Sequence, residues 1–169
     1  MSEFIFPVII LGSCIGSFLN VVIYRLPKKK SFIFDRSHCK TCKRNLNVLD
    51  LFPIISWICL KGRCRYCSSI ISIKYPIVEI ITSLLFFLCL NSVGFADDFM
   101  PSFFIVISGW ILVSYLVTLC FIDINEMILP DSLTYSGSVV GFFLVSFYNI
   151  FVNNSSNNFL LENLFAYSS

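Results

Sequence analysis

Past Lys74 the chain has no lysine or arginine; all 12 of its basic residues lie between Arg25 and Lys74. Charge of either sign is scarce, at 13% of 169 residues, and the net charge is only +2. No nucleic-acid partner is implied by so little basic surface. An ordinary soluble domain is excluded as well, because 57% of the residues are hydrophobic and the mean hydropathy is +0.84. Nineteen phenylalanines would leave large adhesive patches on a water-facing surface. A cleaved secretory leader is excluded at the first apolar run, where the positive residues follow the run instead of preceding it and no small-residue cleavage site appears. No glycine-rich nucleotide loop of a soluble fold is visible either.

What the chain does have is long apolar runs. Phe4 to Ile23 is 20 residues without a charge, enough at about 1.5 Å per residue to cross a hydrocarbon core of about 30 Å. Pro101 to Ile122 and Leu133 to Val152 are equally clean. Pro76 to Phe95 contains Glu79, but a carboxylate near a helix N-terminus is favoured by the helix dipole, and Pro76 suits a helix start. The expected fold is an all-α polytopic membrane protein of about four transmembrane helices (4–24, 76–95, 101–122 and 133–152) with lipid as its solvent. Residues 153–169 form a polar tail, opened by the run Asn153 to Asn158.

Because short basic loops stay on the cytoplasmic side, residues 25–75 are expected inside and the N-terminus outside. Ala96-Asp97-Asp98, acidic and without a cation, fits an outside turn, and 123–132 a cytoplasmic one. Leu46 to Leu60 is apolar but too short to span, and Asp50 and Pro53 interrupt it. It reads as a hairpin buried in the loop or resting on the membrane.

Eight cysteines divide into two groups. Cys14, Cys59, Cys89 and Cys120 are scattered among apolar residues and act as small hydrophobes. Cys39-x-x-Cys42 and Cys64-x-x-Cys67, separated by 21 residues, present four thiolates able to close a tetrahedron around zinc. A reducing compartment favours a metal over disulfides, and the nearby Lys and Arg residues offset the charge of four thiolates. A redox dithiol and idle thiols are the competing readings, and His38 could replace Cys39 as a ligand. With four cysteines the coordination shell is complete, so the metal would fold the loop and not catalyse.

Asp123 closes the third apolar run, and Asp131 follows across Asn125, Glu126 and Pro130. An acid at the end of a span is a functional candidate, while a turn simply solvated by acids, with Asp131 or Ser132 capping the next helix, explains the residues equally well. Gly12 with Gly16, and Gly137 with Gly141, are small-residue pairs that permit close helix contact, and Asn20 is expected to find a partner across helices.

Three segments together resemble the type IV prepilin peptidases, a bacterial family of membrane aspartic proteases that combine leader peptidase and N-methyltransferase activities. Gly16-Ser17-Phe18-Leu19-Asn20 through Pro27 resembles the family's opening signature. Pro53-Ile54-Ile55-Ser56-Trp57, the second cysteine pair and Ile73 to Glu79 are similar to its cytoplasmic loop. Ile122-Asp123-Ile124 through Ile128-Leu129-Pro130-Asp131-Ser132-Leu133-Thr134 resembles the segment with its first catalytic aspartate.

The resemblance implies Asp123 as a catalytic residue, with Asp131 and Glu79 at most supporting. It also implies prepilins or pseudopilins as substrates, cleaved at the cytoplasmic face of the bacterial inner membrane, and S-adenosylmethionine for methylation of the new N-terminus. The family's second aspartate lies in a Gly-x-Gly-Asp motif that is not among these residues. The chain is therefore expected to be an N-terminal part, inactive alone, with a C-terminal half of a split enzyme as one candidate partner. The alternative is a non-catalytic, zinc-folded membrane module that binds prepilin or a secretion partner.

Overall fold

A computed structural model of the chain describes residues 2–28, 37–39, 41–47, 50, 52–93 and 99–166. The acidic turn at Ala96 to Asp98, the segment 29–36 with Lys29, Lys30 and Arg36, and Lys40 lie outside the described residues. Among the described residues five helices are seen: α1 (Ser2–Arg25), α2 (Ile55–Cys59), α3 (Lys74–Val93), α4 (Phe99–Glu126) and α5 (Asp131–Ala166). No strand occurs among the described residues, whose only β-type pairings are two isolated bridges.

Among the described residues three helical stretches are long and apolar enough to cross a membrane: Ile5–Arg25, Lys74–Val93 and Ser102–Glu126. The fourth expected span lies within α5, whose helical backbone continues through the Asn/Ser run to Ala166, a stretch with no proline or glycine to stop it. Similarly, α4 passes Asp123 and ends only at Glu126. Met127 then adopts a left-handed backbone (φ 52°), and Pro130 precedes the start of α5.

The core is built on α1, α3 and α4. At one end Leu19, Ile23, Val78, Val117 and Ile122 form a buried cluster; at the other, Val8, Phe86, Leu90 and Val106 form a second. The Phe86 and Trp110 rings stack with centroids 5.1 Å apart, and the indole N–H donates to the Phe86 carbonyl at 3.0 Å. Glycines set the spacing of α1 and α3. A methyl group on Gly12 would stand 2.6 Å from Ser83 Cα, and one on Gly16 2.7 Å from Glu79 Cα. In α5, Gly137 faces the Tyr115 ring while Gly141 has nothing within 4 Å. Hydroxyls within the spans are satisfied locally: Thr82, Ser108, Ser114 and Thr118 each donate to the carbonyl four residues earlier. Phe6, Phe142 and Phe143 remain exposed on the outside of the bundle, as lipid-facing rings would be.

Candidate functional site

The loop between α1 and α3 folds from two copies of one turn. In the first, the Cys39 N–H donates to the Arg44 carbonyl at 2.9 Å and the Lys43 N–H donates to the Cys39 carbonyl at 3.0 Å. In the second, the Cys64 N–H donates to the Ser69 carbonyl at 2.9 Å and the Ser68 N–H donates to the Cys64 carbonyl at 2.9 Å. Both turns require a left-handed residue directly after the second cysteine, Lys43 (φ 61°) and Ser68 (φ 56°). Each is closed by a β-bridge, His38 with Asn45 and Arg63 with Ile70. His38 is thus part of the first turn's frame, and the four-thiol set is complete without it.

The expected cysteine cluster is present. The Sγ atoms of Cys39, Cys42, Cys64 and Cys67 all lie within 4.8 Å of one another, and Cys39 and Cys67 are 3.8 Å apart. Zinc–thiolate bonds of about 2.3 Å arranged tetrahedrally put neighbouring sulfurs about 3.8 Å apart, so the residues fit a zinc ion. Charge leads to the same conclusion. The backbone N–H groups of Cys42 and Thr41, then the Ser69 hydroxyl, pull Cys39 down to about 5. Cys67 is also lowered, by the Ser69 hydroxyl first and its backbone N–H second. Cys42 is pushed up to about 11: the Arg44 N–H favours its thiolate, but loss of water and the Cys39 and Cys67 sulfurs outweigh that. Each thiolate makes the next harder to form, and a divalent cation removes the conflict.

Sequence reasoning did not single out Ser69. Its hydroxyl stands 3.1 Å from Cys67 Sγ and 3.7 Å from Cys39 Sγ, outside the Cys-x-x-Cys pattern but against two of its sulfurs.

A bond to Glu79 fastens the loop to the bundle, and two others join α1 and α4 to the start of α3. Glu79 Oε2 accepts the Ile54 N–H at 2.7 Å, the Asn20 amide donates to the Tyr75 carbonyl at 3.0 Å, and Lys74 Nζ donates to Asn125 at 2.5 Å. Asn20 has the cross-helix partner expected of it. Glu79 is buried on α3, where it serves Ile54 and sits beside the Ser17 side chain. Asp123 is exposed in the last turn of α4, and the Met127 N–H donates to its carbonyl at 2.8 Å. Asp131 opens α5 across the turn 127–130. The Lys74–Asn125 contact brings the end of α4, and with it Asp123, to the end of α3 from which the cysteine loop leaves.

Apolar helices of spanning length, joined by a loop folded around a four-thiol cluster, define a helical membrane protein with a metal-type loop domain. Residues 10–93 match the bacterial peptidase A24 N-terminal domain. Through this N-terminal portion the chain is similar to the prepilin leader peptidase/N-methyltransferases. It is 44% identical over 132 residues to the prepilin leader peptidase/N-methyltransferase of Myxococcus xanthus, covering 78% of this chain and 37% of that one. Against the enzyme of the same name from Aeromonas salmonicida it is 36% identical over 152 residues, 75% of this chain and 50% of the relative. The type 4 prepilin-like proteins leader peptide-processing enzyme of Escherichia coli is 37% identical over 146 residues, 73% and 50%. The chain thus spans between about a third and a half of the length of these relatives. No solved structure matches it.

Proposed function

We propose that this chain forms the zinc-folded, membrane-embedded N-terminal part of a prepilin leader peptidase/N-methyltransferase, with Asp123 as one carboxylate of an aspartic dyad. The observation that carries this reading is the Lys74–Asn125 contact, which sets an exposed aspartate beside the root of the cysteine loop at one end of the bundle. In this reading that end faces the cytoplasm, where the basic loop meets a prepilin or pseudopilin leader. The zinc holds the two turns together and takes no part in bond cleavage, since four thiolates leave it no open position.

Hydrolysis by paired carboxylates needs one protonated and one ionised group sharing a water. Asp123 supplies one. Glu79 is engaged with Ile54, and by the resemblance to the prepilin peptidases the second belongs to a Gly-x-Gly-Asp motif, which is not among these 169 residues. Methylation of the new N-terminus draws its methyl group from S-adenosylmethionine, to which no residue described here is assigned.

The test is co-expression with a prepilin substrate, with and without a C-terminal segment from a relative that carries Gly-x-Gly-Asp. Cleavage that needs the added segment and is lost with Asp123→Asn supports the proposal. Cleavage by these residues alone that survives Asp123→Asn refutes the dyad role. Prepilin capture without cleavage in either arrangement would favour a non-catalytic binding module.

A further inference from the structure

The exposed apolar side of α2 is not explained by any role so far described. Phe52, Ile55 and Ile58 are 54%, 58% and 61% exposed, and their spacing of three residues puts them on one side of the turn and helix. None belongs to the buried clusters. Phe52 and Ile55, together with Ser56, Cys59 and Leu60, border a shallow groove of about 250 Å³ whose rim carries Arg65.

The position of this segment relative to the bundle indicates what covers it. The Ile54 N–H is bonded to Glu79, which lies five residues inside α3 from Lys74, about 7.5 Å along the helix axis. Glu79 in turn packs on Gly16, nine residues before the end of α1 at Arg25, or about 13 Å. The start of α2 is therefore held close to the loop ends of α1 and α3, the level at which exposed basic side chains such as Lys74 meet lipid headgroups. Interfacial segments bury their apolar faces about 5–10 Å into the same layer. Directly after α2 come Lys61 and Arg63, both exposed, the complement of an anionic headgroup surface.

We propose that residues 52–60 are an interfacial anchor. Phe52, Ile55 and Ile58 insert among the acyl chains at the headgroup boundary, Lys61 and Arg63 contact anionic phosphates, and the Glu79–Ile54 bond fixes the depth. The proposal requires α1, α3 and α4 to span a bilayer and is independent of whether the chain takes part in prepilin cleavage.

The test uses the full chain, zinc-loaded, in vesicles of mixed anionic and zwitterionic phospholipid. A W57F/W110F/I58W variant leaves one tryptophan on the apolar side of α2. Its emission should be blue-shifted, largely lost when the lipid is brominated high on the acyl chain, and little affected by aqueous iodide. Replacing the anionic lipid, or introducing Lys61→Glu with Arg63→Glu, should weaken the quenching. A second variant, C14S/C89S/C120S, keeps both native tryptophans and carries a nitroxide on Cys59, where access by oxygen should exceed access by a water-soluble nickel complex. Water-like emission quenched by iodide, or nickel access exceeding oxygen access, overturns the proposal. Blue-shifted emission untouched by brominated lipid also overturns it, because a protein surface and not lipid would then cover α2.

Discussion

Glu79 and Ile54 are joined by a 2.7 Å hydrogen bond from a loop backbone N–H to a carboxylate buried within a membrane helix. The same bond fastens the cysteine loop to α3 and occupies the one acid in that span. Glu79→Gln keeps an acceptor oxygen and should cost little. Glu79→Leu leaves the Ile54 N–H without its partner, a loss of about 1–3 kcal/mol. Thermal unfolding in detergent should rank the variants in that order, and limited proteolysis should cut the loop faster only in the leucine variant. Equal behaviour of the two would mean that the bond does not fasten the loop.

The glycines of α1 and α5 predict opposite outcomes for the same substitution. Gly16→Ala drives a methyl group to 2.7 Å from Glu79 Cα, a backbone atom that cannot swing aside, so α1 and α3 must separate. Overpacking of that kind costs about 1–3 kcal/mol. Gly141→Ala meets nothing within 4 Å and should be neutral or slightly stabilising through helix propensity. Unfolding midpoints of the two variants measured side by side decide the point.

Much of this architecture was legible because the signals were periodic or paired. Apolar runs long enough to cross a bilayer announced the helices of the bundle, and two Cys-x-x-Cys pairs announced the cluster that Cys39, Cys42, Cys64 and Cys67 form. Gly12 and Gly16 marked a close helix contact, although nothing in them named Ser83 and Glu79 as the other side. What stayed hidden depends on contacts distant in sequence or on backbone shape. Glu79 read as an interfacial acid, and its partner is a backbone N–H that no side-chain pattern encodes. Ser69 lies outside its motif and gains meaning only when the two turns meet. The ends of α4 shifted because Asp123 and Asn125 do not stop a helix, whereas the left-handed Met127 and Pro130 do.

Ser69 should matter to metal affinity although it is not a ligand. Its hydroxyl, 3.1 Å from Cys67 Sγ, can donate to that thiolate, and loss of such a supporting hydrogen bond weakens metal sites about 10–100-fold. Ser69→Ala should show that loss in a competition titration with a chromogenic zinc chelator, whereas Ser68→Ala, with its side chain exposed, should bind as tightly as the parent. Cys64→Ser removes a ligand and should abolish stoichiometric zinc and unfold the loop, while Cys14→Ser leaves one zinc per chain. Stoichiometric zinc in Cys64→Ser would sink the four-thiolate assignment.

The second cysteine turn is tied to the segment ahead of α2 through Asp50 and Arg65. Arg65 Nε lies 2.9 Å from Asp50 Oδ1, close enough for an ion pair but not aligned for a hydrogen bond; that oxygen has no other partner among the described residues. The Asn47 N–H donates to the other carboxylate oxygen at 3.2 Å. The Asp50 side chain is 5% exposed and that of Arg65 47%, so solvent screens the pair from one side and its coupling should be about 1 kcal/mol or less. A double-mutant cycle with Asp50→Asn and Arg65→Gln, read by unfolding of the zinc-loaded chain, isolates that term. Arg65→Gln alone should be the costlier single change, since it leaves a nearly buried carboxylate with the Asn47 N–H as its remaining contact, whereas Asp50→Asn removes the charge itself. The coupling should shrink as salt is added, because the Arg65 side chain is about half exposed to solvent. A coupling that does not respond to salt would show that the residues interact through packing and not through charge.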